Sequence, residues 1–413
     1  MKLSTIQERS MQHFTDEFIQ AIPKTDLHVH LDGSLRISTL IDLAARAGIS
    51  LPATDEAGLQ KRIFKDSYRN LEEYLAGFAY TTAVLRSRDA LYRVAYELFM
   101  DNAAEGVRYI EVRFAPQLLM SEQLSFQQVM EAVDQGLRDA RDELNRQKPR
   151  DEPEYDYGII ACAMRFFTAD FSPYYRDYSR MHEFSSPTEI ISGASLELAK
   201  AVVQLRAHTS IQIVGFDLAG AEYGYPASNH QASYELVEKG FLHKTVHAGE
   251  AFGPESIFQA VTKLQADRIG HGLHLFDTNL IHSSHEQDPE TYVTELVNYI
   301  ANRRITVEVC LTSNMQTTPD LKTLANHSFR RMLEQKLSVT LCTDNRLVSN
   351  TSICKEYRLA LDNFPISPHD LKNIIAYGFK RSFYYHPYPQ KRAWVRSVLN
   401  YYDQLAEKFG IKE

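Results

Sequence analysis

The stretch Thr25-Asp26-Leu27-His28-Val29-His30-Leu31-Asp32-Gly33 sets two histidines two residues apart. In a β-strand alternate side chains share a face, so His28 and His30 point the same way if the segment is extended. Imidazole is the commonest metal ligand, and such a pair at a strand end holds two nitrogens over one spot. Alone, the pair fits equally two ordinary histidines opening a core strand, and further ligands at equivalent places are needed to decide. His247 follows Lys244-Thr245-Val246, His271 follows Asp267-Arg268-Ile269-Gly270, and Asp344 closes the run Leu337 to Thr343. Each has a plain alternative, a buried hydrogen-bonded histidine or an aspartate capping a helix. Five such residues, all at the ends of strand-like runs, do not fit scatter. Three imidazoles and a carboxylate suit one divalent first-row ion, zinc by default, with iron, cobalt or manganese as options. A catalytic zinc keeps a position open for water and lowers its pKa to roughly 7. A protonatable carboxyl is then wanted close by, and Glu250 stands just beyond His247.

The elements that position these residues alternate along the chain. Phe14 to Ile22 reads as a short helix stopped by Pro23, and Lys24 to His30 as the first strand. A helical pattern with Leu35, Leu40, Ile41, Leu43 and Ala44 follows. Leu71, Tyr74, Leu75 and Phe78 then form one apolar helix face. The second strand is Tyr109 to Phe114. Ser125 with Gln128 is a capping-box signature for a helix carrying Phe126, Val129, Met130, Val133, Leu137, Ala140 and Leu144. The third strand is Gly158 to Met164. Arg165 to Ser192, aromatic and Arg-rich, reads as a long loop with short helices that could act as a lid. A helix at Ser195 to Ala207 leads to the fourth strand, Gln212 to Leu218. Helix Ser228 to Lys239 precedes the fifth, Lys244 to His247, and helix Pro254 to Leu264 precedes the sixth, Asp267 to His271. Asp277 to Asp288 is a hydrophilic insertion whose His282 and His285 read as solvated. Helix Pro289 to Asn302 precedes the seventh strand, Ile305 to Cys310, and helix Leu324 to Lys336 the eighth, Leu337 to Asp344. The rest, from Ile353, is helical. Eight apolar strands alternating with helices is the count of an α/β fold of (β/α)8 TIM-barrel type, with insertions and extra C-terminal helices. An open doubly wound sheet would predict a Gly-rich loop after strand one, and Gly33 alone does not make one. Without repeats or a Pro/Gly/Ser linker, residues 1–413 read as a single barrel domain.

Composition narrows the partners. Of 413 residues, 44% are hydrophobic and 24% charged, and the net charge is −8 with no dense basic run. A nucleic-acid or membrane-surface role is therefore not expected. Met1 to Phe18 has no secretory apolar core, and no run reaches bilayer length. Cys162, Cys310, Cys342 and Cys354 fit no Cys-x-x-Cys pattern and read as buried free thiols. A soluble, cytoplasmic protein is expected.

His28-Val29-His30-Leu31-Asp32-Gly33, His247-Ala248-Gly249-Glu250, Arg268-Ile269-Gly270-His271-Gly272, Thr312-Ser313-Asn314 and Thr343-Asp344 resemble, in order, the motifs of the adenosine deaminase family of the amidohydrolase superfamily. The resemblance runs from about Pro23 to near Gly378. It implies that His28, His30, His247 and Asp344 hold a single zinc. It implies also that His271 orients the attacking hydroxide without being a primary ligand, and that Glu250 protonates purine N1 while C6 is attacked. Gly220 would meet N3 through its backbone, Asp32 would lie near the ribose 5′-hydroxyl, and Leu71, Tyr74, Leu75 and Phe78 would form the apolar lid. Plain core packing accounts for that apolar face equally well. The implied partner is a purine nucleoside, adenosine or 2′-deoxyadenosine. Two departures stand out. Asn345 replaces a second Asp that contacts N7, and an amide donates there without titrating. Cys310-Leu311 replaces a common Cys-Pro. Nearest rivals are deaminases of adenine or aminodeoxyfutalosine. An AMP deaminase fits less well, lacking a long N-terminal region and a clear phosphate-binding cluster, although Arg165 and Arg176 are candidates. A binuclear hydrolase would call for a Lys late in strand four, which is absent, and a non-catalytic relative for loss of Glu250 or a ligand.

Overall fold

A computed structural model describes residues 14–282 and 288–411. Its centre is a parallel sheet of eight strands paired in chain order. They are β1 (Lys24–His30), β2 (Val107–Phe114), β3 (Asp156–Met164), β4 (Ile213–Ala219), β5 (His243–Ala248), β6 (Arg268–His271), β7 (Thr306–Val309) and β8 (Val339–Leu341). Closure comes past the end of β8. Val29 and Asp344 form a parallel bridge, with His30 N–H donating to Asp344 O at 2.7 Å and Asp344 N–H to His28 O at 2.8 Å. The strands are buried almost throughout, as parallel strands covered by helices on one side and packed interior on the other must be. The fold is thus a (β/α)8 barrel, with its strand C-termini gathered at one mouth.

The surrounding helices form where capping and periodicity agree. Ser125 and Gln128 make the expected capping box, opening Phe126–Gln147, whose apolar side packs against Arg88–Ala104. Helices Ile353–Asn363, Pro368–Arg381 and Tyr388–Lys408 follow the barrel. Among the described residues no helix is long and apolar enough to cross a membrane.

Several expectations change. The stripe from Leu71 to Phe78 is two short helices, Leu71–Leu75 and Phe78–Val84, because Gly77 weakens helix continuity between them. The helix expected at Ser195 begins at Pro187, set by a Ser186–Glu189 capping box with Pro at its first position. Arg165 to Ser192 is therefore mostly helical, since Pro173–Met181 fills its middle. The segment expected as one helix from Leu324 to Lys336 is a 3-10 turn, Leu324–Asn326, followed by Phe329–Glu334. An unexpected helix, Leu311–Thr317, leaves β7 directly. All four cysteines are free, Cys162, Cys310 and Cys342 buried and Cys354 half-buried. His282 is exposed, and His285 lies outside the described residues.

Candidate active site

At the barrel mouth β1 brings His28 and His30, β5 His247 and β6 His271, while Asp344 stands just beyond β8. All five are buried. His271 and Asp344 have φ of 66° and 60°, the left-handed region where non-glycine residues are uncommon and which clusters at functional sites. Between His247 and Glu250 the chain turns at Gly249, φ 72°, where a Cβ would also strike the Ile257 side chain. Gly270 matters for space: a Cβ there would come within 2.8 Å of the His28 ring.

Carboxylates beneath the mouth fix the imidazoles. His28 Nδ1 lies 2.8 Å from Glu308 Oε2 on β7, and His247 Nδ1 lies 3.0 Å from Asp217 Oδ2 on β4. Carboxylates only accept, so both Nδ1 atoms carry the proton and both Nε2 lone pairs face the mouth. Burial opposes charge on Glu308, yet the Arg113 and Arg268 guanidiniums hold its carboxyl well below the ordinary range. Asp217, equally buried, is held low by His247 and Arg113. Arg113 bridges the two carboxylates, at 3.0 Å from Asp217 and 2.8 Å from Glu308.

The inward-facing atoms fit a cation. His30 Nε2 is 3.1 Å from His247 Nε2, and Asp344 Oδ1 is 3.4 Å from the Nε2 of both His28 and His30. A tetrahedral zinc with bonds of about 2.0–2.1 Å would hold its ligand atoms about 3.3 Å apart. His28 Nε2 is buried and makes no hydrogen bond. Burial works against charge on Asp344, but His28 and His271 keep it well below the usual carboxylate value. His271 also belongs to the cluster: with His28, His247 and Asp344 it forms a set of ligand atoms within 4.8 Å of one another. Ser313 Oγ and Tyr74 Oη donate to Asp344 Oδ2 at 2.7 and 3.3 Å.

Beside this centre opens a cavity of about 640 Å³. Leu71, Tyr74, Leu75 and Phe78 wall it on one side, and Asp32, Gly220, Glu250, His271 and Asn345 line it on others. Glu250 is buried, and that burial, with the charges of Asp344 and Glu222, drives its carboxyl well above the ordinary glutamate value. Its Oε2 lies 3.7 Å from His271 Nε2. Burial, reinforced by the Asp344 charge, pushes Asp32 up to about 7, and its Oδ1 makes no hydrogen bond. Asn345 Nδ2 donates to Tyr74 Oη at 2.8 Å, leaving its second N–H open. Gly220 has a φ of 97°. Arg165 does not face the cavity as a free cation: its guanidinium donates to the carbonyls of Tyr225 and His247 at 2.7 and 2.6 Å. Arg176 pairs with Asp177 on the surface.

The phosphate-binding candidates Arg165 and Arg176 thus present no free cation to the mouth. The residues expected to hold the metal, donate the proton and meet the purine nucleoside all gather there. Sequence reasoning missed the layer that holds them. Glu222 accepts N–H donation from Gly249, Glu250, Ala251 and Phe252 at 2.7 to 3.2 Å, clamping the turn that carries Glu250. Glu308 and Asp217 were detectable as charges inside otherwise apolar parallel strands, a pairing that burial demands. Tyr74 gave no signal beyond its place in an apolar stripe.

Comparisons with known proteins agree with this geometry. The adenosine deaminase family model matches residues 23–170 and 189–401. Adenosine deaminase 1 of Streptomyces coelicolor is 34% identical over 388 residues, covering 92% of this chain and 87% of its own. Among solved structures, an N6-mAMP deaminase from Arabidopsis superposes with a TM-score of 0.70 at 25% identity, covering 93% of this chain and 99% of its own. An amidohydrolase from Burkholderia ambifaria with bound Zn has a TM-score of 0.73 at 21% identity, covering 96% and 95%, and shares the fold. The chain belongs to the adenosine deaminase family.

Proposed function

We propose that this protein is a zinc-dependent enzyme that hydrolyses the 6-amino group of adenosine and 2′-deoxyadenosine, giving inosine or 2′-deoxyinosine and ammonia. In this reading His28, His30, His247 and Asp344 hold one zinc ion per chain. The bound ion supplies Lewis acidity, which lowers the pKa of water toward neutrality and makes hydroxide available. Glu250 gives its proton to purine N1, which drains electron density from C6 and prepares it for attack. His271 stabilises the oxygen that develops on C6. Glu250, now a carboxylate, recovers a proton from the water, and the new C6 hydroxyl proton passes to the amino group, which leaves as ammonia. Gly220 offers its backbone to N3, Asn345 its open N–H to N7, and Asp32 a carboxyl to the ribose 5′-hydroxyl. Leu75 and Phe78, with Leu71 and Tyr74, cover the base and exclude water.

The carrying observation is Glu250, a carboxyl whose burial pushes its pKa well above the ordinary glutamate value, in the same cavity as the ligand cluster. A cytoplasmic setting and one catalytic domain spanning 1–413 belong to the same reading, the former supported by four free thiols. Arg86 favours a second reading. It is half-buried, lines the cavity, forms no ion pair among the described residues and donates to Thr82 O. A 6-aminopurine with an anionic substituent, such as a nucleotide or aminodeoxyfutalosine, would meet that guanidinium. Ammonia release from adenosine, deoxyadenosine, adenine, AMP and aminodeoxyfutalosine separates the readings, and preference for any of the last three would displace the first. Metal analysis should return one ion per chain, and two would point to binuclear hydrolysis instead.

A further inference from the structure

We infer that Asn314 and His327 are positioning residues that lock the His271 proton on Nε2, so that His271 serves the reacting centre as a hydrogen-bond donor and not as a metal ligand. It deepens the proposed function and rests on it for the meaning of the reaction, though not for the tautomer. His271 needs such a device. Its ring centroid lies 4.8 Å from that of His28 and 5.2 Å from that of His247, and it shares their ligand cluster. With a lone pair on Nε2 it would compete with His30 for the cation. With a proton there it cannot bind a metal at that atom.

The order of donors follows from one group that has no choice. The backbone N–H of Phe329 opens helix Phe329–Glu334 and lies 3.0 Å from His327 Nδ1. An N–H only donates, so Nδ1 of His327 accepts. His327 is buried, and burial lowers its pKa to about 3, keeping the ring neutral with its one proton on Nε2. That atom is 3.2 Å from Asn314 Oδ1 and donates to it. The amide is thereby oriented, and its Nδ2 faces His271 Nδ1 at 3.1 Å. An amide nitrogen also only donates, so His271 Nδ1 accepts and its proton lies on Nε2, the atom 3.7 Å from Glu250 Oε2. Asn314 and His327 are both fully enclosed, so water does not compete for these bonds. The neighbouring Ser313 donates to Asp344, so one helix, Leu311–Thr317, sets a ligand and a donor together.

The test reads the tautomer directly. In metal-free protein with 15N-labelled histidine, long-range 1H–15N correlations should show His271, assigned by its loss in His271→Gln, with Nε2 protonated and Nδ1 bare. Asn314→Asp replaces the donating amide by an accepting carboxylate and should move the proton to Nδ1. In the zinc-loaded enzyme it should lower kcat on adenosine by about 100-fold, with KM within about threefold. Should Asn314→Asp fail to fold, the His327 pair decides. His327→Leu frees the amide to rotate and should give mixed tautomers and a loss of about tenfold or more, whereas His327→Gln, whose amide N–H can still reach Asn314 Oδ1, should restore both. A protonated Nδ1 in the unaltered protein, an unchanged tautomer in Asn314→Asp, or equal losses in the two His327 variants would overturn the inference. If adenosine is not a substrate while the tautomers behave as stated, only the substrate assignment falls.

Discussion

In the proposed reaction Glu250 protonates a purine nitrogen near neutral pH, and its burial beside Asp344 and Glu222 raises its pKa in the direction this role needs. Glu250→Gln preserves shape but not the exchangeable proton. It is expected to retain one metal ion per chain while ammonia release drops by about a thousandfold; near-native turnover would remove Glu250 from the mechanism. The proposed reading gives Asn345 a smaller contribution. If its open N–H meets N7, Asn345→Ala should lower kcat/KM on adenosine by about tenfold, the size of one lost hydrogen bond. Unchanged steady-state constants would end that role. At this scale the candidate ligands were legible in the sequence because histidines at strand ends are rare and chemically committed. Glu308, Asp217 and Glu222 were not singled out, and Asn314 entered only within the Thr312-Ser313-Asn314 motif with no role of its own, since each acts on a side chain or turn supplied by a different segment. Their meaning appears only when those segments become neighbours.

Between residues and the whole lie the elements that carry them, and helix Leu311–Thr317 shows how one is anchored. Buried Glu356, in the first turn of Ile353–Asn363, accepts from Thr312 N–H at 3.2 Å and from the hydroxyls of Thr312 and Thr351. Burial raises its pKa from 4.5 to about 7, so the folded protein binds the proton more tightly than the unfolded chain. That preference stabilises the fold below pH 4.5 and is lost as pH rises through 7, by an amount on the order of 3 kcal/mol. Glu356→Gln, neutral at every pH, should therefore gain in Tm relative to the unaltered protein between pH 5 and pH 8. A difference that stays flat across that range would place the charge elsewhere. All eight strands were legible from their apolar runs, and the helix at Ser125 from its cap. Two of the misread elements have separate causes: Arg165 to Ser192 is so rich in aromatics that its second cap, Ser186 with Glu189, stood out poorly, and Gly77 cuts a stripe whose period continues across it.

For the whole molecule, a bound ion contributes stability by mass action, about 4 kcal/mol when free metal exceeds its dissociation constant a thousandfold. Chelation should lower Tm by several degrees and zinc should restore it, read by calorimetry; a Tm indifferent to chelator would mean that the cluster binds no ion tightly. The position of the cluster gives that loss a direction. The barrel closes through Val29 and Asp344, with backbone bonds running between Asp344 and both His28 and His30. Those residues come from the first and last strands made during synthesis. Until Asp344 leaves the ribosome, β1 has an unpaired edge and the proposed metal site lacks its fourth ligand. Under the proposed four-ligand reading, metal capture waits on Asp344 and coincides with the longest-range strand pairing in the fold, the kind that forms slowly. A nascent chain stalled before Asp344 would expose two bare sheet edges, which invite aggregation. In the finished apoprotein, hydrogen exchange at the amides of His30 and Asp344 should be the first to quicken.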